Sequence, residues 1–192
     1  MPARNQPALE FLLSRRSRPA RTLAAPVPDR AALTEILTAA ARVPDHGKLE
    51  PWRFVVLERP ALDRLAQIAR TRAGALGKDD SDTAKAVSQF ADSPLAVAVI
   101  EVPRDHPKIP RIEQTWSAGA ACLSLVNGAL AAGWGANWLT GWCAHDAEFG
   151  LRALGLGQGE RVVGFVHIGT ESATPPERPR PDLEKVVTWL SE

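Results

Sequence analysis

The chain has no tyrosine, a single methionine and only two cysteines in 192 residues. The cysteines, Cys122 and Cys143, stand apart with no CxxC spacing. They cannot build a disulfide scaffold, and the plain reading is a reducing cytoplasm. An excess of charge is also missing: 23 basic residues nearly balance 22 acidic ones, leaving a net charge of +1. That removes the electrostatic case for a nucleic-acid partner, which needs a basic excess on one face. The opening stretch, MPARNQPALEFLLSRRSR, has no apolar run ending at a small-residue cleavage site, so it does not read as a signal peptide. From Gln114 to His145 there is no Asp, Glu, Lys or Arg, a length that could span a bilayer. The run is dominated by Ala and Gly, carries Asn127 and Asn137, and lacks a one-sided basic flank. It reads as a helix buried in protein, with no membrane partner.

Self-sufficient catalytic machinery is absent as well. There is no GxSxG, HExxH, GxxxxGK[ST] or GxGxxG, and Gly133-Trp134-Gly135 lacks the third glycine. His46, His106, His145 and His167 are scattered without metal-ligand spacing. His167, inside an apolar run, reads as a satisfied or edge histidine. A chain of this size without an acid, base or metal set either binds something or takes its chemistry from a cofactor.

What is present suits one α+β domain with a sizeable core. Apolar spacing predicts a helix over Pro7–Arg15 and a second, N-capped by Asp29, running to Arg42 and stopped by Pro44. A strand at Phe54–Glu58 and a helix over Pro60–Ala75 follow. The polar segment Gly77–Ala84 reads as solvated, with a short helix over Thr83–Phe90. Leu95–Val102 is a near-continuous apolar run, the pattern of a central strand covered on both faces. Three prolines make residues 103–110 a loop. The longest helix candidate is Thr115–Ala132, followed by a strand at Gly135–Leu139, a helix over Asp146–Leu154 and a strand at Arg161–Gly169. The tail begins as a Pro-rich extended arm and ends in a short amphipathic segment. On the long helix, small residues recur every four positions from Ser117 to Ala132, which suits close approach of another helix from the same or a second chain.

Three clusters carry candidate chemistry. Arg15-Arg16-Ser17-Arg18 follows a helix end, where cations complement the dipole, but the guanidinium forks and hydroxyl also make an anion site. The run from Arg42 to Phe54 packs Arg42, Asp45, His46, Lys48 and Glu50 with turn formers and Trp52, more charge than a structural loop needs. The third joins Glu113–Ala120 to Gly133–Trp142. Three of the six tryptophans lie in Trp134–Trp142, as core or as walls for a flat aromatic ligand.

Taken in order, these motifs resemble the nitroreductase family. RRS leads to a proline loop ending in PW-R-F-V-V, then SAG opens a small-residue helix closed by Gly-x-Gly, then a strand ending in Gly-Thr precedes a basic Pro-rich tail. The resemblance runs from about Leu9 to Trp189. It implies a three-layer sandwich, a mostly antiparallel sheet flanked by helices, in an intertwined homodimer with FMN at the subunit interface. Arg15, Arg16 and Ser17 match the positions holding the FMN phosphate and ribityl chain. Arg42 and His46 match flavin contacts, His46 reaching across from the second subunit. Trp138, Leu139, Thr140 and Gly141 match the loop whose backbone faces the isoalloxazine, and Arg178 and Arg180 a basic pair for the phosphate. The family's usual Asn is Lys48 here, its Gln before the proline is Glu50, and an Arg common in related chains is Leu139. These departures bear on redox tuning and substrate range more than on binding.

The function so implied is reduction of electron-poor acceptors, nitroaromatics or quinones, by NADH or NADPH in a ping-pong cycle. A cation near the pyrimidine edge of the flavin, from the first cluster or Lys48, would stabilise its reduced form. A non-catalytic flavin-binding or flavin-delivering protein would share the phosphate site without room for a second stacked ring. A cofactor-free interaction protein would leave both basic clusters unexplained.

Overall fold

The computed structural model describes residues 3–191; Met1 and Pro2 of the opening stretch and Glu192 of the tail lie outside it. The element order is α1 (Gln6–Ser14), β1 (Leu23–Ala24), α2 (Arg30–Ala40), β2 (Trp52–Leu57), α3 (Arg59–Ala75), α4 (Asp80–Ala91), β3 (Ala96–Glu101), α5 (Arg111–Ala131), β4 (Gly135–Leu139), α6 (Ala147–Leu154), β5 (Arg161–Glu171) and α7 (Leu183–Val186). The sheet is antiparallel. β5 lies between β3 and β4, β2 is the outer neighbour of β3, and the short β1 pairs with the last residues of β5.

Alternation along the strands sends side chains to two cores. Val97, Val99, Val166 and Ile168 face α2 and α5, against Leu33, Ile36, Leu125 and Val126. Ala98, Ile100, Phe165 and Leu57 face α3, α4 and α6. There Phe90 stacks on Phe149 at 5.6 Å and meets Phe165 edge-on at 5.1 Å. The result is a three-layer sandwich, as the motif order implies. β3 is buried at every position, which explains its unbroken apolar run.

The ladder between β3 and β5 shifts by one residue next to Val99, skipping Val163. The Val163 carbonyl accepts instead from Trp138 Nε1 at 3.3 Å. A Cβ on Gly164 would lie 1.9 Å from that nitrogen, so only glycine lets the indole lie here. Trp138 therefore packs its ring into the core on the α5 side, and Trp134 joins the same core.

The polar segment from Gly77 to Ala84 is solvated as read, with no buried residue, but the helix expected from Thr83 begins earlier: Asp79 accepts from Asp82 N and starts α4 at Asp80, where two acidic residues suit the positive helix end. Of the two partners left open for the small-residue stripe of α5, a helix of its own chain is seen against its Ser124–Gly128 part. Ser124 Oγ donates to Ala39 O at 3.2 Å, and a Cβ on Gly128 would stand 3.4 Å from Ile36 O, so α2 fills that groove. The remaining face of α5 carries Ile112, Trp116 and Leu123, all exposed at helical spacing. No helix among the described residues is long and apolar enough to cross a membrane.

Candidate functional site

The Arg15–Arg18 segment leaves α1 in an extended turn and is held beside β4. Arg18 N donates to Ala136 O at 2.8 Å, and Asn137 Nδ2 donates to Arg18 O at 2.8 Å. Arg15 Nη2 donates to Ser17 Oγ at 3.1 Å, and Arg16 Nη2 to Pro176 O at 2.7 Å. Arg18 pairs with Glu171 at 3.2 Å. The arginines border a cavity of about 280 Å³ with Phe11, Trp134 and Glu171. Within it the Nε atoms of Arg15 and Arg16 are buried without a hydrogen-bond partner. Burial, and then the charges of Arg180, Arg16 and Arg18, lower the pKa of Arg15. Crowded, desolvated cations with unused donors are a site under electrostatic tension, which a multi-oxygen anion relieves.

A second, larger cavity of about 600 Å³ begins at the next residues along the chain. Its walls are Pro19–Arg21, the chain from Asn137 to Gly141, and the face of α4 carrying Lys85, Ser88 and Gln89. Gly141 sits at φ 64°, and a Cβ there would stand 3.2 Å from Gln89 Oε1. Gln89 thus sits against Gly141, and Leu139, Thr140 and Gly141 line the cavity together. The size lies within the range of cofactor pockets. Lys85, Ser88 and Gln89 were not among the residues singled out from sequence. Their i, i+3, i+4 spacing within the helix expected over Thr83–Phe90 was a usable sign of one shared face.

The sequence-predicted residues thus divide into two groups. Arg15, Arg16, Ser17 and the Trp138–Gly141 loop gather around β4. Arg180 joins them: it is felt at Arg15 and pairs with Glu177 at 2.7 Å. Arg178 is exposed and contributes only its backbone N–H to Glu177. Arg42, His46 and Lys48 lie elsewhere, in the loop before β2, and line neither cavity. Between β4 and β2 stand β5 and β3, so the strands are about 14 Å apart at the usual inter-strand spacing.

That loop is internally satisfied but strained. The Asp45 carboxylate accepts from Leu49 N at 3.2 Å and Glu50 N at 2.8 Å. His46 Nδ1 lies 2.6 Å from Glu113 Oε2 at the start of α5. Ser117 Oγ donates to Pro44 O and accepts from Trp52 Nε1, at 2.7 and 3.1 Å. Lys48 and Glu50 nevertheless hold φ of 54° and 48°, the left-handed region that non-glycine residues avoid. Arg42, His46, Lys48 and Glu50 are all exposed.

His167 is buried, as expected for an apolar strand, but only half satisfied. Its Nδ1 lies 2.8 Å from Ser93 Oγ, while Nε2 has no partner. Burial pushes its pKa down to about 4, so it is neutral at physiological pH. Both cysteines are buried and unbonded. Among the described residues no group of three or more His, Cys, Asp or Glu could hold a metal ion.

Residues 12–170 match the model of the nitroreductase family. The chain is 36% identical over 163 residues to Escherichia coli (strain K12) YdjA, a protein named as a candidate NAD(P)H nitroreductase, covering 85% of this chain and 87% of that one. Its fold is similar to that of a nitroreductase-like family protein from Bacillus cereus, with a TM-score of 0.77 at 24% identity over the whole of both chains. It is also similar to an FMN-dependent nitroreductase from Clostridium difficile, with a TM-score of 0.68 at 22% identity over 94% of this chain and 98% of that one.

Proposed function

The chain belongs to the nitroreductase family, and on that premise we propose that it is an FMN-dependent oxidoreductase that uses NADH or NADPH to reduce electron-poor aromatic acceptors. The observation that carries this reading is the adjoining pair of cavities: one edged by Arg15 and Arg16 with buried, unpartnered Nε atoms, the other wide enough for a flat ring against Leu139–Gly141. When bound, FMN supplies the redox chemistry, accepting a hydride from the nicotinamide and passing electrons to the acceptor.

The protein's own contribution is holding and electrostatics. Arg15, Arg16 and Ser17 grip the phosphate, with Arg178 and Arg180 closing over it from the tail. Trp138 acts through its backbone, because its ring belongs to the core; Leu139, Thr140 and Gly141 present backbone along the ring edge. Lys85 projects from α4 into the same cavity and stabilises negative charge on the reduced cofactor. No side chain there is needed as an acid or base. Nicotinamide and acceptor occupy the one opening in turn, which gives ping-pong kinetics.

The site is shared between two copies of the chain. Arg42, His46 and Lys48 line neither cavity of their own chain, yet their loop holds an exposed, strained and polar surface. A second copy brings them to the opening. Apolar residues left exposed supply the interface: Leu12 and Leu13 on α1, Ile112, Trp116 and Leu123 on α5, and Trp189 and Leu190 in the tail.

The test is an absorbance spectrum of the purified protein after incubation with FMN, followed by anaerobic NADH and NADPH. Bound flavin that bleaches supports the reading. Bound flavin that stays oxidised with both donors would make the protein a flavin carrier, and no bound flavin would remove the cofactor assignment.

A further inference from the structure

Off the larger cavity opens a recess of about 250 Å³ that the cofactor reading leaves unused. It shares Lys85, Gln89 and Gly141 with that cavity and adds Lys78, Asp82 and Trp142. Two buried donors at its wall have no partner, Gln89 Nε2 and Trp142 Nε1. The indole is fixed in place, edge-on to Phe149 with centroids 6.1 Å apart. Trp142 lines this side chamber and not the larger cavity.

The charge balance of the recess favours an anion. Lys85 stands 3.8 Å from Asp82, so one cation is partly matched. Lys78 forms no ion pair among the described residues, and the carboxylate it faces beyond the recess, Asp146, is already held by Arg72 at 2.9 Å. An uncommitted ammonium beside two unpartnered N–H donors suits a carboxylate, whose two oxygens accept several bonds at once. The volume takes a substituted single ring but not a second tricyclic system. Opening beside Gly141, it lets such a ring extend from the recess toward the place proposed for the cofactor.

We propose that this recess seats the carboxylate end of an anionic aromatic acceptor, selecting acidic nitroaromatics or quinones over neutral ones. Lys78 supplies the charge, and Trp142 and Gln89 supply the oriented donors. The inference rests on the cofactor reading above and names the acceptor class for that site. Holding the carboxylate outside the cofactor chamber leaves the reducible group as the only part inside it, so recognition and chemistry fall on opposite ends of the substrate.

Benzoate, a redox-inert probe, tests this on FMN-loaded protein, where the cofactor phosphate already occupies the arginine site. Titration should perturb the flavin spectrum saturably. Lys78→Ala should weaken binding about tenfold and Trp142→Phe, which keeps the ring and removes the donor, about threefold. In turnover, the ratio of kcat/KM for 4-nitrobenzoate to that for 4-nitrobenzyl alcohol should be well above one and fall toward one in Lys78→Ala through KM rather than kcat. Flavin that binds normally while benzoate causes no perturbation, or binds equally to Lys78→Ala, overturns the recess and leaves the cofactor site standing. Failure to take up flavin at all instead counts against the reading on which the recess rests.

Discussion

The two basic clusters of this chain differ in what they leave unfinished. Around Arg15 and Arg16 the backbone is secured by Ala136 and Asn137, yet the guanidinium Nε atoms are buried and unpartnered. Around Arg42–Glu50 the polar groups find partners in Asp45, Glu113 and Ser117, and the tension sits in the backbone, at Lys48 and Glu50. Unsatisfied buried donors mark where a ligand is needed, because their desolvation cost stands until something accepts from them. On the proposed function, the first region is where the cofactor phosphate is held, and the second, with its exposed charge and left-handed residues, is the surface offered to a second copy.

The largest expected effect removes the first region's charge. Arg16→Ala should weaken FMN binding about 100-fold, roughly 3 kcal/mol for lost charge-assisted bonds, with an unchanged circular dichroism spectrum. Flavin affinity within threefold of wild type would put the phosphate elsewhere.

The two histidines sharpen the contrast. His46 is exposed, whereas His167 is sealed with its pKa pushed to about 4. Between about pH 6.5 and 4 the unfolded chain binds a proton that folded His167 refuses, so stability falls as pH drops through this window, by about 3 kcal/mol at most. Urea denaturation at pH 7 and pH 4.5 should show that slope, and His167→Gln should flatten it; an equal slope in both proteins would assign acid sensitivity to other groups.

A smaller effect concerns the exposed face of α5. Trp116→Glu should raise the dimer dissociation constant about 30-fold, some 2 kcal/mol for an aromatic anchor, as read by sedimentation. Flavin affinity should drop with dimer population, whereas dimerisation unaffected by the change would move the interface off α5. The smallest effect is expected at His46→Ala, a few-fold loss of FMN affinity at about 1 kcal/mol or less with no change in folding stability.

Much of this fold was legible in the sequence because each element had one dominant signal. Asp29 caps its helix as read, the helix read over Asp146–Leu154 is α6, and the apolar run at Leu95–Val102 is the fully buried β3. α4 was read three residues short at its start because its first turn is Asp-Ser-Asp, polar by composition but favourable beside the positive end of a helix. Lys85, Ser88 and Gln89 fell inside the helix as read, but nothing local marked their shared face as lining a cavity. Trp138 was ambiguous for a different reason. A strand residue shows one face to the core and its backbone to the neighbouring strand, and nothing local reveals that its indole takes up the space above Gly164. The small-residue stripe of α5 announced a close helix contact but not whose helix, since α2 of the same chain and a second copy leave the same mark.

The central claim is that the two clusters, apart in one chain, meet across a dimer. Mixed dimers test it most directly, pairing Arg16→Ala chains with chains carrying Arg42→Ala and His46→Ala. A shared site predicts that each mixed dimer rebuilds one intact site, holding one FMN at wild-type affinity, while the second site stays empty. If the clusters served separate sites within each chain, every site in the mixture would remain damaged and no wild-type affinity would return.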